Sequence, residues 1–296
     1  MTRVLLPQHS RYEYSPLVER KDYSWPDGRR LAFTVTTNIE WFAFGAGLGN
    51  DPAKAGEPQT HRNYSWRDYG NRIGIWRLFD LLDELELPAG HCTNSLIYDY
   101  APQITDAIRR RGDELIAHGR TNAENLRALW QSDEERLLRE VTETIARHEG
   151  RPPRGWFGAG AYESAHTPDL LRELGYTYLM DWPMDDQPVW MRTRSGAILS
   201  VPYPVETDDA QGVIHRRWSA ASFADAVVDQ FDEMIEQCER HPLVMNVSVH
   251  PYVFGQPFRI RQLRRALEHC VHHEKVWYCR PGEIAEHCYS LGESVT

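Results

Sequence analysis

The feature that most constrains the fold is a regular alternation of short apolar runs with longer amphipathic segments. Apolar runs such as 31–36 and Leu243–Val249 have the length and β-branched content of buried strands. Segments such as 66–85 and 132–149 repeat apolar residues at helical spacing. Strands that alternate with helices in this way form parallel βαβ units. We therefore predict an α/β fold in which parallel strands form one closed or nearly closed barrel.

The same periodicity and the signals at the ends of the segments predict the other elements. Ser132 followed by Glu135 predicts a capping box at the start of the helix 132–149, and Gly150 predicts its end. Residues 1–26 show no clear pattern and are predicted to form an arm, whereas residues 27–290 form the barrel. The further strands are predicted at 90–97, 114–117, 155–157, 178–180, 198–201 and 276–278, and the further helices at 101–111, 167–174, 222–239 and 259–272.

Composition and charge exclude several classes of function. The net charge of −10 comes without a basic stripe of the kind that nucleic-acid binding requires, so we expect no nucleic-acid partner. No apolar run approaches the roughly 20 residues that cross a bilayer, so we expect no membrane contact. Residues 1–18 lack the apolar core of a signal peptide, and we expect a cytoplasmic location. The five cysteines show no CxxC spacing and are expected to be reduced and not catalytic.

Polar residues follow four of the predicted strands. These are Glu40, His118, Asp181 and His250. In a parallel barrel the active site lies at the carboxyl ends of the strands, so these side chains are expected at one mouth. Each residue alone is more often structural than functional. Together they supply what amide hydrolysis needs, namely a base that activates water, an acid for the leaving nitrogen and groups that orient them.

Several short motifs carry a resemblance to a known family. In order and spacing they resemble the polysaccharide deacetylase (NodB-homology) superfamily, and more closely the branch of cofactor-independent allantoinases and cyclic imide hydrolases. The resemblance covers roughly residues 12–284. The motifs are Asn38-Ile39-Glu40, the segment 69–72, Gly112-Asp113-Glu114 leading to His118-Gly119, Gly155-Trp156, Asp181-Trp182, and His250-Pro251-Tyr252 with the segment 255–259.

The resemblance implies a distorted (β/α) barrel of about seven parallel strands that hydrolyses an acyl carbon–nitrogen bond. Metal-using members have a base followed by a metal ligand in the first motif and two histidine ligands in the next. In this chain the base position is Glu40, but the ligand position is Trp41. The histidine positions are His118 and Asn122, and the general acid of the last motif is His250.

The differences from the ligand positions of metal-using members determine whether a metal can bind. Trp41 cannot bind a metal, Asn122 is at best a weak neutral ligand, and only His118 remains. A catalytic zinc normally has three protein ligands and a water. We therefore predict no cofactor, with zinc or another divalent metal held through His118 as the alternative.

The resulting hypothesis is a hydrolase for a small cyclic amide, imide or ureide. Glu40 activates water, and His250 protonates the leaving nitrogen or stabilises the oxyanion. Asp181 orients His250 or binds a substrate N–H. Other residues are expected to contact the substrate: His118 and Asn122 at its carbonyl, Trp41 and Trp182 as flat walls, Arg72 at a carboxylate or instead at a loop acid, and Asn38 and Tyr252.

Other functions remain open at this point. One is a metal-dependent N-deacetylase of the same superfamily, and another is a barrel that has lost its chemistry and binds a small molecule. A true polysaccharide deacetylase is least favoured, because the Trp- and Pro-rich segment 181–190 resembles a lid over a small pocket rather than an open sugar groove. By resemblance, we also expect a homo-oligomer, either a dimer or a tetramer.

Overall fold

The structure, a computed structural model, describes residues 8–45 and 59–292. Its strands are β1 (Leu31–Ile39), β2 (Ala89–Thr93), β3 (Glu114–Ala117), β4 (Gly155–Trp156), β5 (Tyr178–Leu179), β6 (Val189–Thr193), β7 (Gly196–Ser200), β8 (Leu243–Val249) and β9 (Val276–Tyr278). Its helices are α1 (His61–Tyr69), α2 (Ile75–Glu84), α3 (Ile97–Tyr100), α4 (Pro102–Arg111), α5 (Gln131–Glu149), α6 (Thr167–Glu173), α7 (Ala220–Gln237), α8 (Pro251–Phe254), α9 (Pro257–Cys270) and α10 (Pro281–Leu291). Within these ranges, no helix combines the length and the apolar character that a membrane crossing requires.

All described strands belong to one sheet that curls into a half-barrel. Its order is β6-β7-β5-β4-β3-β2-β1-β8, and β9 pairs with the first residues of β1. Every pairing is parallel except that of β6 with β7. Beyond β8 the open side is partly covered, because Val244 donates a backbone hydrogen bond to Asp186 and Asp208 bridges to Ser248. The predicted parallel α/β barrel is confirmed.

Strand β1 is the centre of the core. All its residues are buried, since β2 and β9 lie on one side of it and β8 on the other. Alternate side chains point to opposite faces. Phe33 and Val35 pack in the apolar layer under α2, α7 and α9, whereas Ala32 packs in the layer that also holds Trp25. Each large apolar side chain so buried contributes roughly 1.5–3 kcal/mol.

Several elements differ from the sequence prediction. The helix predicted at 66–85 is three consecutive pieces, in which a π-helical turn at Gly70–Gly74 separates α1 from α2. The capping box at Ser132 is wrong, because α5 starts after Trp130 without a side-chain cap, but Gly150 does end the helix with φ 72°. Strand β6 and helix α10 were not predicted. β6 begins at the end of the segment 181–190 that resembled a lid and shows a weak alternating burial pattern, because it pairs only at the edge of the sheet.

Residues 8–25 of the predicted arm pack on the barrel of the same chain. Arg11 forms a bidentate ion pair with Asp169 at 2.7 Å, and Arg20 pairs with Asp185 at 2.5 Å. The Trp25 indole N–H donates to the Leu243 carbonyl at 3.0 Å. Residues 1–7 of this predicted segment lie outside the described residues.

A close backbone contact fixes the turn that follows β8. A Cβ atom added to Gly74 would lie 2.0 Å from the Pro251 carbonyl oxygen. One added to Gly255 would lie 2.2 Å from the Cα atom of Gly74. Interiors packed at this density do not absorb an added methyl group. The two glycines therefore allow the π-helical turn to press against α8, and so position His250 at its N-terminus.

The substitution Gly74→Ala should lower the free energy of unfolding by about 1–3 kcal/mol or more, because the new methyl group forces two backbone segments apart. Urea denaturation measures this change. The control is Asp80→Ala, an exposed position in the adjacent α2 helix, which should have little effect. Equal stability of the wild type and Gly74→Ala would contradict this contact.

Candidate active site

All four predicted catalytic residues, Glu40, His118, Asp181 and His250, line one cavity of about 300 Å³ at the carboxyl ends of the strands. Glu40 follows β1, His118 follows β3 and His250 follows β8. Parallel strands of one sheet end at the same edge, which brings together residues far apart in the chain. A cavity of this volume is at the small end of those that bind organic ligands.

Glu40 is buried, and its two carboxylate oxygens differ in their surroundings. Asn122 donates its side-chain amide to Oε1, and the His250 Nε2 atom lies 3.5 Å from the same oxygen. The other oxygen, Oε2, is buried without a protein partner. Burial alone would raise the pKa of Glu40, but the charge of His250 and the histidine contacts outweigh it and hold that pKa well below its usual value. Glu40 is therefore an ionised base with one oxygen free to receive a proton.

Asp209 orients His250. The His250 Nδ1–H donates to Asp209 Oδ1 at 2.6 Å, and the backbone N–H of His250 donates to Oδ2 at 2.8 Å. Burial lowers the pKa of His250, yet Tyr252, Asp209 and Glu40 together raise it well above its usual value. Burial also raises the pKa of Asp209, to about 6. His250 thus directs a charged Nε2–H group toward Glu40.

The expectation that Asp181 orients His250 is wrong. Asp181 lines the cavity, but its Oδ1 atom accepts the Gly158 N–H at 2.8 Å, and its electrostatic partner is Glu163. Burial and the neighbouring Glu163 raise the pKa of Asp181 well above its usual value, whereas burial raises that of Glu163 to about 7. Burial and Glu163 therefore favour the protonated form of Asp181 in the cavity wall.

His118 presents one free nitrogen to the cavity. Its Nδ1–H donates to the Phe157 carbonyl at 2.6 Å, and its Nε2 atom is buried without a hydrogen-bond partner, 3.8 Å from Glu40. Since Nδ1 is engaged, Nε2 is the ring nitrogen of His118 that remains for a ligand, and the predicted contact with the substrate carbonyl stays a prediction.

The donors at the family's metal positions do not fit a zinc ion. Trp41 turns away and stacks on Tyr100 with ring centroids 4.6 Å apart. Asn122 uses its nitrogen for Glu40 and its oxygen for the Asn94 amide at 2.9 Å. His118 alone keeps a free donor atom, whereas a catalytic zinc takes three protein ligands.

A second group of potential ligands also fails this test. Asp208, Asp209 and His250 are the cluster with metal-ligand spacing that the described residues contain. The Asp208 oxygens already accept hydrogen bonds from Tyr203 and Gln211, and those of Asp209 accept both bonds from His250. A cation here would have to displace the contacts that orient His250.

Three predicted substrate contacts lie outside the cavity. The Arg72 side chain is 74% exposed and lies 3.9 Å from Asp68, so it pairs with an acid of helix α1 rather than with the predicted loop acid. Trp182 donates its indole N–H to Glu163 at 2.6 Å, and Trp41 stacks on Tyr100. The aromatic rings that line the cavity are instead Phe42, Phe157, Tyr162, Tyr203 and Tyr252.

Asn38 and Tyr252 do line the cavity, as does Asn122. Asn38 donates to the Tyr203 hydroxyl at 2.9 Å and to Ser248 at 3.0 Å. Its Oδ1 atom is buried without a protein partner and is therefore available to accept from a ligand N–H.

Sequence reasoning did not identify Asp209, Tyr203 or Arg67, which belong to this site. Asp209 and Tyr203 lie in the irregular segment between β7 and α7, where periodicity offers no strand end to inspect. The five cysteines are all unpaired and buried, and burial raises the pKa of Cys92 well above its usual value. No thiolate nucleophile is therefore available from Cys92.

The variant Asp209→Asn should lower the pKa of His250 by more than about one unit, because it removes the negative charge but keeps an acceptor for Nδ1–H. Titration of His250 by NMR measures the shift. Asp181→Asn is the matched control and should leave the His250 pKa nearly unchanged. If the two variants moved that pKa equally, the assignment of Asp209 as the orienting residue would be wrong.

Comparisons with known proteins find relatives over nearly the whole chain, although no family model matches it. A Schizosaccharomyces pombe protein named "Putative polysaccharide deacetylase" is 25% identical over 88% of this chain and 91% of its own length. The crystal structure of Puue allantoinase superposes with a TM-score of 0.82 at 22% identity, covering 95% of this chain and 99% of that one. A "probable Polysaccharide deacetylase" from Pseudomonas aeruginosa PAO1 gives 0.81 at 24% identity, covering 91% of this chain and 94% of that one. The predicted resemblance is therefore confirmed, and the chain has the fold of the polysaccharide deacetylase (NodB-homology) superfamily.

Proposed function

We propose that this protein is a metal-independent hydrolase that cleaves a non-peptide carbon–nitrogen bond in a small cyclic amide, imide or ureide. The observation that carries the proposal is the buried line Asp209–His250–Glu40, which ends at a free carboxylate oxygen inside a small cavity. The names of the related proteins, an allantoinase and deacetylases, support the same class of bond.

In the proposed reaction, Glu40 and His250 divide the proton transfers. A water molecule on Oε2 of Glu40 gives up a proton to that oxygen as its own oxygen bonds to the substrate carbonyl carbon. The charged Nε2–H of His250 stabilises the developing oxyanion and then delivers its proton to the leaving nitrogen as the C–N bond breaks. The proton on Glu40 afterwards returns to His250, which restores the starting state.

The remaining polar groups orient the substrate. Asn122 holds Oε1 of Glu40, which directs Oε2 toward the water. Oδ1 of Asn38 is an acceptor, which suits an N–H group of an imide or ureide ring, and Nε2 of His118 offers a second polar contact. The aromatic lining supplies flat apolar surface for such a ring.

Replacing Glu40 by Gln should lower kcat by at least about 100-fold, because the amide cannot accept the proton of water. Turnover of a panel containing hydantoins, succinimide-type rings, allantoin and N-acetyl sugars measures the effect. The exposed Glu143→Gln substitution on α5 is the control and should retain activity. A Glu40→Gln variant with near-normal turnover would remove Glu40 from the mechanism.

The same panel distinguishes an enzyme from a barrel that binds a small molecule without catalysis. Tight binding of one compound with turnover of none would favour the non-catalytic alternative, whereas turnover of N-acetyl sugars alone would favour a deacetylase. The cytoplasmic location and the homo-oligomeric state stay predictions.

The second candidate function is a metal-dependent N-deacetylase, and the free Nε2 of His118 is the observation that favours it. We expect purified protein to contain far less than one zinc per chain and to keep its turnover after chelation, because a single imidazole holds zinc too weakly. Elemental analysis with activity measured before and after chelator treatment tests this. Stoichiometric zinc whose removal abolishes turnover would overturn the metal-independent mechanism.

A further inference from the structure

Arg67 is a buried cation in the wall of the cavity, and the mechanism above does not use it. Its exposed fraction is only 5%, although it lies on α1, a largely polar helix. Its guanidinium carbon lies 3.8 Å from the centroid of the Phe42 ring and 5.4 Å from that of Tyr252. All three side chains line the cavity that holds Glu40 and His250.

The terminal nitrogens of this guanidinium have no protein acceptor within the described residues. Its one side-chain hydrogen bond runs from Nε to the Asn63 Oδ1 atom at 3.1 Å, and no described carboxylate lies within 4.0 Å. A buried charge is costly unless it is paired, and most buried arginines are paired with carboxylates. Two aromatic rings compensate only part of that cost.

The surroundings fix the orientation of the guanidinium. Asn63 accepts the hydrogen bond of the Arg67 Nε–H group, and the rings of Phe42 and Tyr252 limit rotation of the guanidinium. An arginine restrained in this way presents its terminal N–H groups as a rigid fork that matches the two oxygens of a carboxylate. A neutral carbonyl oxygen can accept one of these hydrogen bonds but leaves the charge without a counter-ion among the described residues, whereas a carboxylate satisfies both needs.

We propose that Arg67 binds a carboxylate carried by the substrate, so that the ring to be opened is an acidic one. The inference rests on the proposed function only in calling this ligand the substrate. The reacting amide would lie against Glu40 and His250, and the pendant carboxylate would reach Arg67 in the same cavity. This is the role that the sequence pattern suggested for Arg72, which is exposed and lies near Asp68.

Two probes that contain no C–N bond test the site separately from catalysis. These are 2-oxocyclopentaneacetate, which has a ring, a carbonyl and a carboxylate, and neutral cyclopentanone. Isothermal titration calorimetry should show that the wild type binds the acid at least about tenfold more tightly than the ketone, the usual size of a charge-assisted hydrogen bond. In Arg67→Gln this preference should disappear, while binding of cyclopentanone changes little.

The control is Arg72→Gln, which removes an arginine from the neighbouring turn and should keep the full preference for the acid. Asn63→Ala provides a second variant that retains the charge but releases Nε. Its preference should fall without vanishing, and circular dichroism checks that each variant is folded. The proposal is overturned if the wild type does not prefer the acid, or if folded Arg67→Gln keeps the preference. If Arg67→Gln does not fold, an unchanged preference in Asn63→Ala overturns it.

These outcomes are independent of turnover. Binding of the acid probe through Arg67 together with no hydrolysis of any panel compound would remove the proposed reaction but leave the carboxylate site. Turnover of neutral rings alone, with no role for Arg67 in binding, would remove the carboxylate site but leave the proposed reaction.

Discussion

The compensation of buried charge at the mouth of the barrel is the constraint on which the rest of the site depends. Glu40 lies away from bulk solvent, where an unpaired carboxylate would take up a proton and lose its value as a base. His250 keeps it ionised, and Asp209 keeps His250 charged and oriented. The three groups therefore form one electrostatic unit, and no member can be assigned its state without the other two.

The backbone around this unit is fixed both by strand pairing and by close packing. Strand β1 positions Glu40 from a fully buried place in the sheet, between β2 and β8. The contact of Gly74 with Pro251 and Gly255 holds the turn that carries His250. Small residues are needed here because a side chain at Gly74 or Gly255 would force apart the two backbone segments that position His250 beside Glu40.

The two aspartates of the site differ in protonation because they have different neighbours. Asp209 faces the charged His250 and acts as an anion, whereas burial and Glu163 favour the protonated form of Asp181. Asp181 closely follows β5, whereas Asp209 lies in the irregular segment between β7 and α7. Their different partners place Asp209 against His250, the proposed general acid, and leave Asp181 in the wall of the cavity.

The sequence by itself determined the class of fold and the main catalytic candidates. Apolar periodicity revealed the strands and helices, and the residues directly after β1, β3 and β8 included Glu40, His118 and His250, because parallel strands end at one edge. Periodicity could not show that Asp209, in an irregular segment, reaches His250. Nor could it show that Arg67 is buried while Arg72 is exposed, since both lie in one polar stretch. Tertiary structure decides these features, because the burial and the partners of a side chain depend on which distant segments pack against it. The local spacing of residues does not show that packing.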